Sequence, residues 1–300
     1  MSDTFFVERR DNFIREIIRL LRPHQWIKNS FVFTGYLFAK GWNSNELTLS
    51  LIMAVCAFSL VASGVYIIND LRDRERDKEH PKKRLRPLPA GTISSWGAIF
   101  CAIVILPIGI GLGYWVSTEV LYFLLSYVVI NIFYTYWLKR IVILDVFVLA
   151  SGFILRILVG TLGVGIPPSK WLLLCGIMLA LFLGFGKRQA ELLVTRSSEQ
   201  SGRDVLNQYS NKVLDSILTT LSASVLVTYA LYTVDQVTVH RHHTEALIYT
   251  VPIVAYGLFR YLHLIYHHEV GQDPSRDMFK DIHLVGTVLV WLLSVVLILG

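Results

Sequence analysis

A chain of 300 residues is long enough for one or two soluble domains, but 54% hydrophobic against 17% charged residues, with a mean hydropathy of +0.53, excludes a soluble surface. The net charge is +6, and its basic residues fall in short connections between apolar runs, not on a basic domain with a reading element, so nucleic acid is excluded as a partner. Cys56, Cys101 and Cys175 all lie inside apolar runs, which leaves no basis for a disulfide framework or a thiolate metal cluster.

In chain order, residues 10–24 interleave Phe13, Ile14, Ile17, Ile18, Leu20 and Leu21 with Arg15, Arg19 and Arg22 at helical spacing, the pattern of a helix lying in the headgroup plane. The charges persist through Arg22 and no small-residue cleavage site follows, so this segment is not read as a signal peptide. Nine apolar runs come next: Trp26 to Ala39, Leu47 to Ile68, Ile93 to Trp115, Glu119 to Leu138, Ile143 to Val164, Trp171 to Phe185, Val213 to Val234, Ala246 to Tyr266 and Ile282 to Leu299. The first and sixth are short. The expectation is an all-α, polytopic membrane protein, a single membrane domain over 1–300 with nine transmembrane helices. Gly109, Gly111 and Gly113 mark a small-residue face suited to helix association.

The connections alternate in charge. Lys28, the eight basic residues from Arg72 to Arg86, Lys139, Arg140, Lys187, Arg188, Arg196, Arg203, Lys212, Arg276 and Lys280 fall on one side, against Lys40, Lys170 and Arg241 on the other. Positive residues stay inside, which puts the N-terminus in the cytoplasm of a cell inner (plasma) membrane protein and the C-terminus outside. The basic face can then meet anionic lipid or an anionic substrate.

The chemistry concentrates on that face, first in residues 69–92. The second run continues through Asn69, Asp70, Leu71, Arg72, Asp73, Arg74, Glu75, Arg76 and Asp77 with no Gly or Pro, so helix runs out of hydrocarbon into a polar segment. Asn69, Asp73 and Asp77 share one face at i, i+4 and i+8, about 6 Å apart per step, an oxygen-donor stripe suited to a hard divalent cation such as Mg²⁺ that also touches phosphate. Asp70 points partly aside. The competing reading is a solvated helix laced with Arg72, Arg74 and Arg76. The loop His80-Pro81-Lys82-Lys83-Arg84-Leu85-Arg86-Pro87 supplies a density of cations beyond what topology needs, and carboxylates for metal beside cations for phosphate describe a diphosphate site.

Two further ends repeat the theme. The fourth run closes with Tyr134 and Lys139. The sixth closes with Lys187, Arg188 and Glu191, opening a 186–212 connection whose Arg203, Tyr209 and Asp215 would serve as a lid or as a solvated loop. Arg156, inside the fifth run, requires a partner: either a functional one or a structural pairing with Asp145 or a backbone carbonyl. The histidines at 240, 242 and 243 and at 267 and 268 read as solvated or interfacial.

These residues resemble the UbiA superfamily of intramembrane prenyltransferases, most closely its decaprenyl-phosphate phosphoribosyltransferase branch. The resemblance runs through Arg22-Pro23-His24-Gln25-Trp26-Ile27-Lys28-Asn29, the Asn69 to Asp77 motif, the His80 to Pro87 loop, Tyr134 to Lys139 and Gly186 to Glu191. It implies nine helices around a central cavity open to lipid, with Mg²⁺ at the cytoplasmic end held by Asn69, Asp73 and Asp77, of which Asp73 and Asp77 are catalytic. It departs from members that prenylate aromatic rings at Phe185 to Glu191, where a second aspartate motif gives way to two cations and a single Glu. That suits phosphoribosyl pyrophosphate with a polyprenyl phosphate, in a pathway to a cell-envelope pentose donor. The substrate-binding residues expected are Lys83, Arg86, Tyr134, Lys139, Lys187, Arg188 and Glu191 for the donor, and Lys28, Asn29 and Arg156 for the acceptor phosphate or ribose.

Two other readings compete. A prenyltransferase with a polyprenyl diphosphate donor would release diphosphate from the lipid. A lipid or phosphate transporter would carry polar groups deep on both sides and an inverted repeat, and neither is evident.

Overall fold

The computed structural model describes residues 13–198, 206, 208–267 and 281–300. Among these every regular element is helical. After a short helix over 13–21 (α1) come a 3₁₀ stretch Pro23–Val32, α2 (Phe33–Phe38), α3 (Asn45–Glu79), α4 (Ser95–Val116), α5 (Thr118–Tyr136), α6 (Leu144–Val159), α7 (Lys170–Ser198), α8 (Asn211–Val234), α9 (Gln236–His242), α10 (Val251–Tyr266) and α11 (Ile282–Leu299). Eight of these, α6 and α10 with their flanking 3₁₀ turns, are long and apolar enough to cross a membrane.

Neighbours in sequence are neighbours in space. α3 packs on α4, α4 on α5, α5 on α6, α6 on α7, α7 on α8 and α10 on α11, as short connections between antiparallel helices require. Of the most apolar window of α3, 61% is buried, against 17% for α4 and for α11, so α3 is a central helix and the other two present their apolar faces outward. In an integral membrane protein those outward faces meet lipid. Phe38, at the end of α2, closes the circuit by stacking edge-on against Tyr232 of α8 and Trp291 of α11.

The first expected span, Trp26 to Ala39, takes an unexpected form. Ten residues of 3₁₀ geometry are unusually many. What sustains them is a match of repeats: three 3₁₀ residues rise about 6 Å, as do four α-helical ones. Trp26 and Asn29 therefore meet Ser63 and Ser59 of α3 in antiparallel register, at 3.0 and 2.7 Å. Val32, one 3₁₀ turn further on, is fully buried. At 2.0 Å per 3₁₀ residue and 1.5 Å per α residue, Pro23 to Phe38 still extends about 29 Å, close to a hydrocarbon thickness.

This segment lies against the end of α6 because Gly160 has no side chain. A Cβ there would overlap the carbonyl of Val32, and one at Gly35 the carbonyl of Gly160. Gly160→Ala should push the 3₁₀ stretch off α6 and cost about 1–3 kcal/mol. A fall in the thermal midpoint of the detergent-solubilised protein is expected; an unchanged midpoint would show that the segment can shift freely.

Other boundaries also differ from expectation. α7 does not stop at Phe185 but continues to Ser198, so the first part of the 186–212 connection is helix, and residues 199–205 and 207 fall outside those described. Arg203 is among them. Gly109 faces Val61 and the Ala57 carbonyl, and Gly113 faces Leu124, so both serve packing within the chain and are not open to another copy.

Candidate active site

At one end of the bundle meet the C-terminal ends of α3, α5 and α7 and the N-terminal ends of α6 and α8. α3 carries the acidic stripe there because nothing in Asn45–Glu79 breaks it and Ser44 caps its start, accepting from Leu47 N at 3.2 Å. The chain then turns at His80, whose Nδ1 accepts from the amides of Lys82 and Lys83 at 3.2 and 3.4 Å. Burial, and then the nearby Lys83 ammonium, lower the His80 pKa below the ordinary imidazole value, which keeps Nδ1 available as an acceptor.

The turn folds the basic loop back on the stripe. Arg86 donates to Asp77 at 2.6 Å and to Asp70 at 3.3 Å, while Lys83 lies 3.8 Å from Asp77. Asp70 is also paired with Arg22, which leads from α1 into the 3₁₀ stretch. Asp70 does not point aside, as the four-residue stripe suggested. It lies seven residues before Asp77, almost two full turns, so the two share a face, and both are nearly fully buried. α1 is fastened to the same loop through Arg19 on the Leu85 carbonyl at 2.7 Å and Glu16 accepting from Thr92 at 2.6 Å.

The far side of the stripe faces α5. Lys139 grips both oxygens of Asp73, at 2.7 and 3.0 Å, and Thr135 donates to Asn69 Oδ1 at 3.3 Å. One residue before Thr135, Tyr134 lies within electrostatic reach of Arg188 on α7. The end of α5 thus joins two charged groups, the α3 stripe and the end of α7.

That second group is tightly paired. Arg188 is fully buried, its Nε on Asp145 of α6 at 2.7 Å and its Nη1 on Glu191 at 2.6 Å, with Lys187 4.0 Å from the other Glu191 oxygen. Tyr209 completes it: its hydroxyl donates to the remaining Asp145 oxygen at 2.8 Å and accepts from Ile143 N at 2.7 Å. Asp145 therefore does not pair with Arg156. Eleven helical residues separate them, about 16 Å along α6.

Arg156 finds its partners elsewhere. Nε donates to Asn29 Oδ1 at 2.8 Å and Nη1 to the Gly152 carbonyl at 2.7 Å, and the guanidinium lies 4.6 Å from the Phe58 ring centre and 5.2 Å from that of Tyr127. Asn29 also donates to Ser59, so its amide is engaged at both ends. Ser59 precedes Asn69 by ten helical residues, which sets the pair about 15 Å along α3 from the acidic stripe. The structure corrects the expectation of two phosphate ligands here: Asn29 and Arg156 are 1% and 3% exposed and satisfy one another, tying the 3₁₀ stretch to α3 and α6. Lys28, beside Asn29 and partly exposed, is held in place by that tie.

The oxygen donors of Asn69, Asp73 and Asp77 suit a hard cation. Among the described residues no three Asp, Glu, His or Cys side chains converge on one point, so a dedicated all-protein cage is absent. Mg²⁺ needs none: it is typically held by one or two carboxylates together with water and substrate phosphates. Lys139 and Arg86, which now neutralise Asp73 and Asp77, are placed to turn toward such phosphates.

Asp70, Arg22 and Asp145 are the site residues that spacing alone misassigned or passed over. The seven-residue interval from Asp70 to Asp77 was the available signal for the first.

Residues 29–280 match the UbiA prenyltransferase family. A decaprenyl-phosphate phosphoribosyltransferase of Mycolicibacterium smegmatis is 32% identical over 225 residues, 74% of this chain and 71% of that one. One from Corynebacterium glutamicum is 30% identical over 293 residues, 94% of this chain and 86% of that one. The structure of a UbiA homolog from Archaeoglobus fulgidus, bound to GPP and Mg²⁺, shares the fold with a TM-score of 0.69 at 16% identity, covering 95% of this chain and 99% of that one. By its sequence over most of its length and by its helical fold, the chain belongs to the UbiA prenyltransferase family.

Proposed function

We propose that this protein transfers 5-phosphoribosyl from phosphoribosyl pyrophosphate to a polyprenyl phosphate of the decaprenyl type, releasing diphosphate, at the cytoplasmic face of the cell inner membrane. The product would feed a cell-envelope pentose donor. The observation that carries this reading is the end of α7, where Lys187 and Arg188 stand with the single carboxylate Glu191. Cations outnumber carboxylates there, as suits a donor whose additional phosphate is not metal-bound. The names of relatives that cover up to 94% of the chain agree with it.

Mg²⁺ would be held by Asn69, Asp73 and Asp77, and when bound it neutralises charge on the leaving diphosphate. Arg86, Lys83 and Lys139 line the same stripe and would bind the diphosphate oxygens, Lys139 moving from Asp73 as it does so. Lys187 and Tyr134 would receive the ribose 5-phosphate. Glu191, oriented by Arg188, would hold a ribose hydroxyl. The bond from ribose C1 to diphosphate breaks and one forms from C1 to an oxygen of the lipid phosphate. That nucleophile is already anionic, so no strong general base is needed, and none is present among the described residues of the stripe. Lys28, presented by the 3₁₀ stretch, would steady the lipid phosphate.

The test is turnover by purified protein in detergent with Mg²⁺, offering either phosphoribosyl pyrophosphate with a polyprenyl phosphate or a polyprenyl diphosphate with an aromatic acceptor. Product from the first pair alone is expected. Product from the second alone would move the assignment to prenyl transfer.

A further inference from the structure

We propose that Tyr209 is a positioning residue whose hydroxyl, by clasping the connection between α5 and α6 to Asp145, sets both Lys139 and the Arg188–Glu191 pair for the donor phosphates. The proposal rests on the phosphoribosyl-transfer reading above and deepens it.

The connection it clasps is strained. Ile143 has φ 68° and ψ −51°, and Leu144 N bonds to the Val142 carbonyl at 2.8 Å, which together make a γ-turn of the rare, strained hand around a β-branched residue. Such a turn persists only where its surroundings hold it. Here the hold is the Tyr209 oxygen, which accepts from the Ile143 amide at 2.7 Å. Lys139, four residues earlier on the same connection, is the side chain that grips Asp73.

The same hydroxyl donates to Asp145 at 2.8 Å, and Asp145 holds Arg188, which holds Glu191. One oxygen therefore reaches toward both charged groups of the site. Tyr209 is 4% exposed. Burial, and then the bond to Asp145, raise its pKa well above that of a free phenol, so it stays a protonated donor throughout the working range. One Arg188 nitrogen, Nη2, has no hydrogen-bond partner although the side chain is fully buried. A guanidinium with two nitrogens committed and the third free is aligned by its partners, and Asp145 is the partner that Tyr209 fixes.

Tyr209→Phe removes the hydroxyl and keeps the ring. The KM for phosphoribosyl pyrophosphate is expected to rise about tenfold, as for loss of hydrogen bonds that position charged groups, with the KM for polyprenyl phosphate within about twofold of wild type. The thermal midpoint should stay within about 2 °C, since the ring remains packed. Unchanged kinetics would overturn the proposal, because the hydroxyl would then be idle. A lowered midpoint with both KM values raised would also overturn it, by showing a general brace. Should wild type prove inert toward phosphoribosyl pyrophosphate, the functional reading fails, and Tyr209 is judged by the affinity of inorganic diphosphate with Mg²⁺. About tenfold weaker binding by the variant then supports positioning, and equal binding overturns it.

Discussion

Alanine at Asp73 or at Asp77 is expected to lower turnover by about a thousandfold or more, because a bound divalent cation contributes several kcal/mol to stabilising a leaving diphosphate. The two substitutions should differ in their side effects. Asp73 is the more exposed, its side chain at 26% relative exposure and held by Lys139, so its loss leaves one partly solvated ammonium unpaired. Asp77 is at 5% and shares Arg86 with Asp70, so Arg86 retains a carboxylate when Asp77 is removed. Neither change strands a buried charge, and the protein should remain folded in detergent in both cases. The check is turnover against Mg²⁺ concentration together with a thermal midpoint. Turnover within tenfold of wild type in either variant would sink the metal assignment.

Asp70 makes the contrast. It is 2% exposed between Arg22 and Arg86, so Asp70→Ala strands two guanidiniums in a buried setting and should fail in folding before it fails in chemistry.

Arg156→Ala carries the largest expected cost in stability, about 3–5 kcal/mol, the range for truncating one member of a buried, hydrogen-bonded charge pair. Three things are lost together: the donor to Asn29 Oδ1, the donor to the Gly152 carbonyl, and the cation stacked on Phe58 and Tyr127. The vacated space lies among α3, α5 and α6 with no water to re-solvate the orphaned oxygens. Lysine should rescue little, since an ammonium cannot reproduce the planar fork that serves both acceptors. Unfolding in mixed detergent and SDS micelles measures the loss. A variant of wild-type stability that no longer binds polyprenyl phosphate would instead make Arg156 a substrate ligand.

How far this architecture was legible depended on whether the deciding contact was local. The apolar runs located the eight long helices because burial in lipid leaves a signal in every residue of a span. The α3 stripe was legible for a similar reason: the absence of Gly and Pro between Leu47 and Glu79 carries helix past the hydrocarbon, so Asn69, Asp73 and Asp77 had to share a face.

The 3₁₀ stretch was not legible, because three-residue and 3.6-residue periods barely separate over ten positions. It is set by contacts to Ser59 and Ser63, some thirty residues away. The end of α7 misled for a different reason. A hydropathy reading stops at Lys187 and Arg188, yet the helix continues because Asp145, 43 residues earlier, neutralises Arg188 in the interior. Asp145 was assigned to Arg156 on the strength of sequence proximity, and the rise of an α-helix rules that out. Tyr209 carries no local mark, since its two partners lie more than sixty residues upstream.

The most direct measurement uses phosphoribosyl pyrophosphate carrying ¹⁴C in the ribose and ³²P in the terminal phosphate of its diphosphate, incubated with the purified protein, a polyprenyl phosphate and Mg²⁺. The expected result is ¹⁴C in the lipid phase, ³²P as free diphosphate in the aqueous phase, equal amounts of each, and neither without Mg²⁺. Movement of ³²P into the lipid, or no transfer of either label while a polyprenyl diphosphate is consumed, would contradict phosphoribosyl transfer.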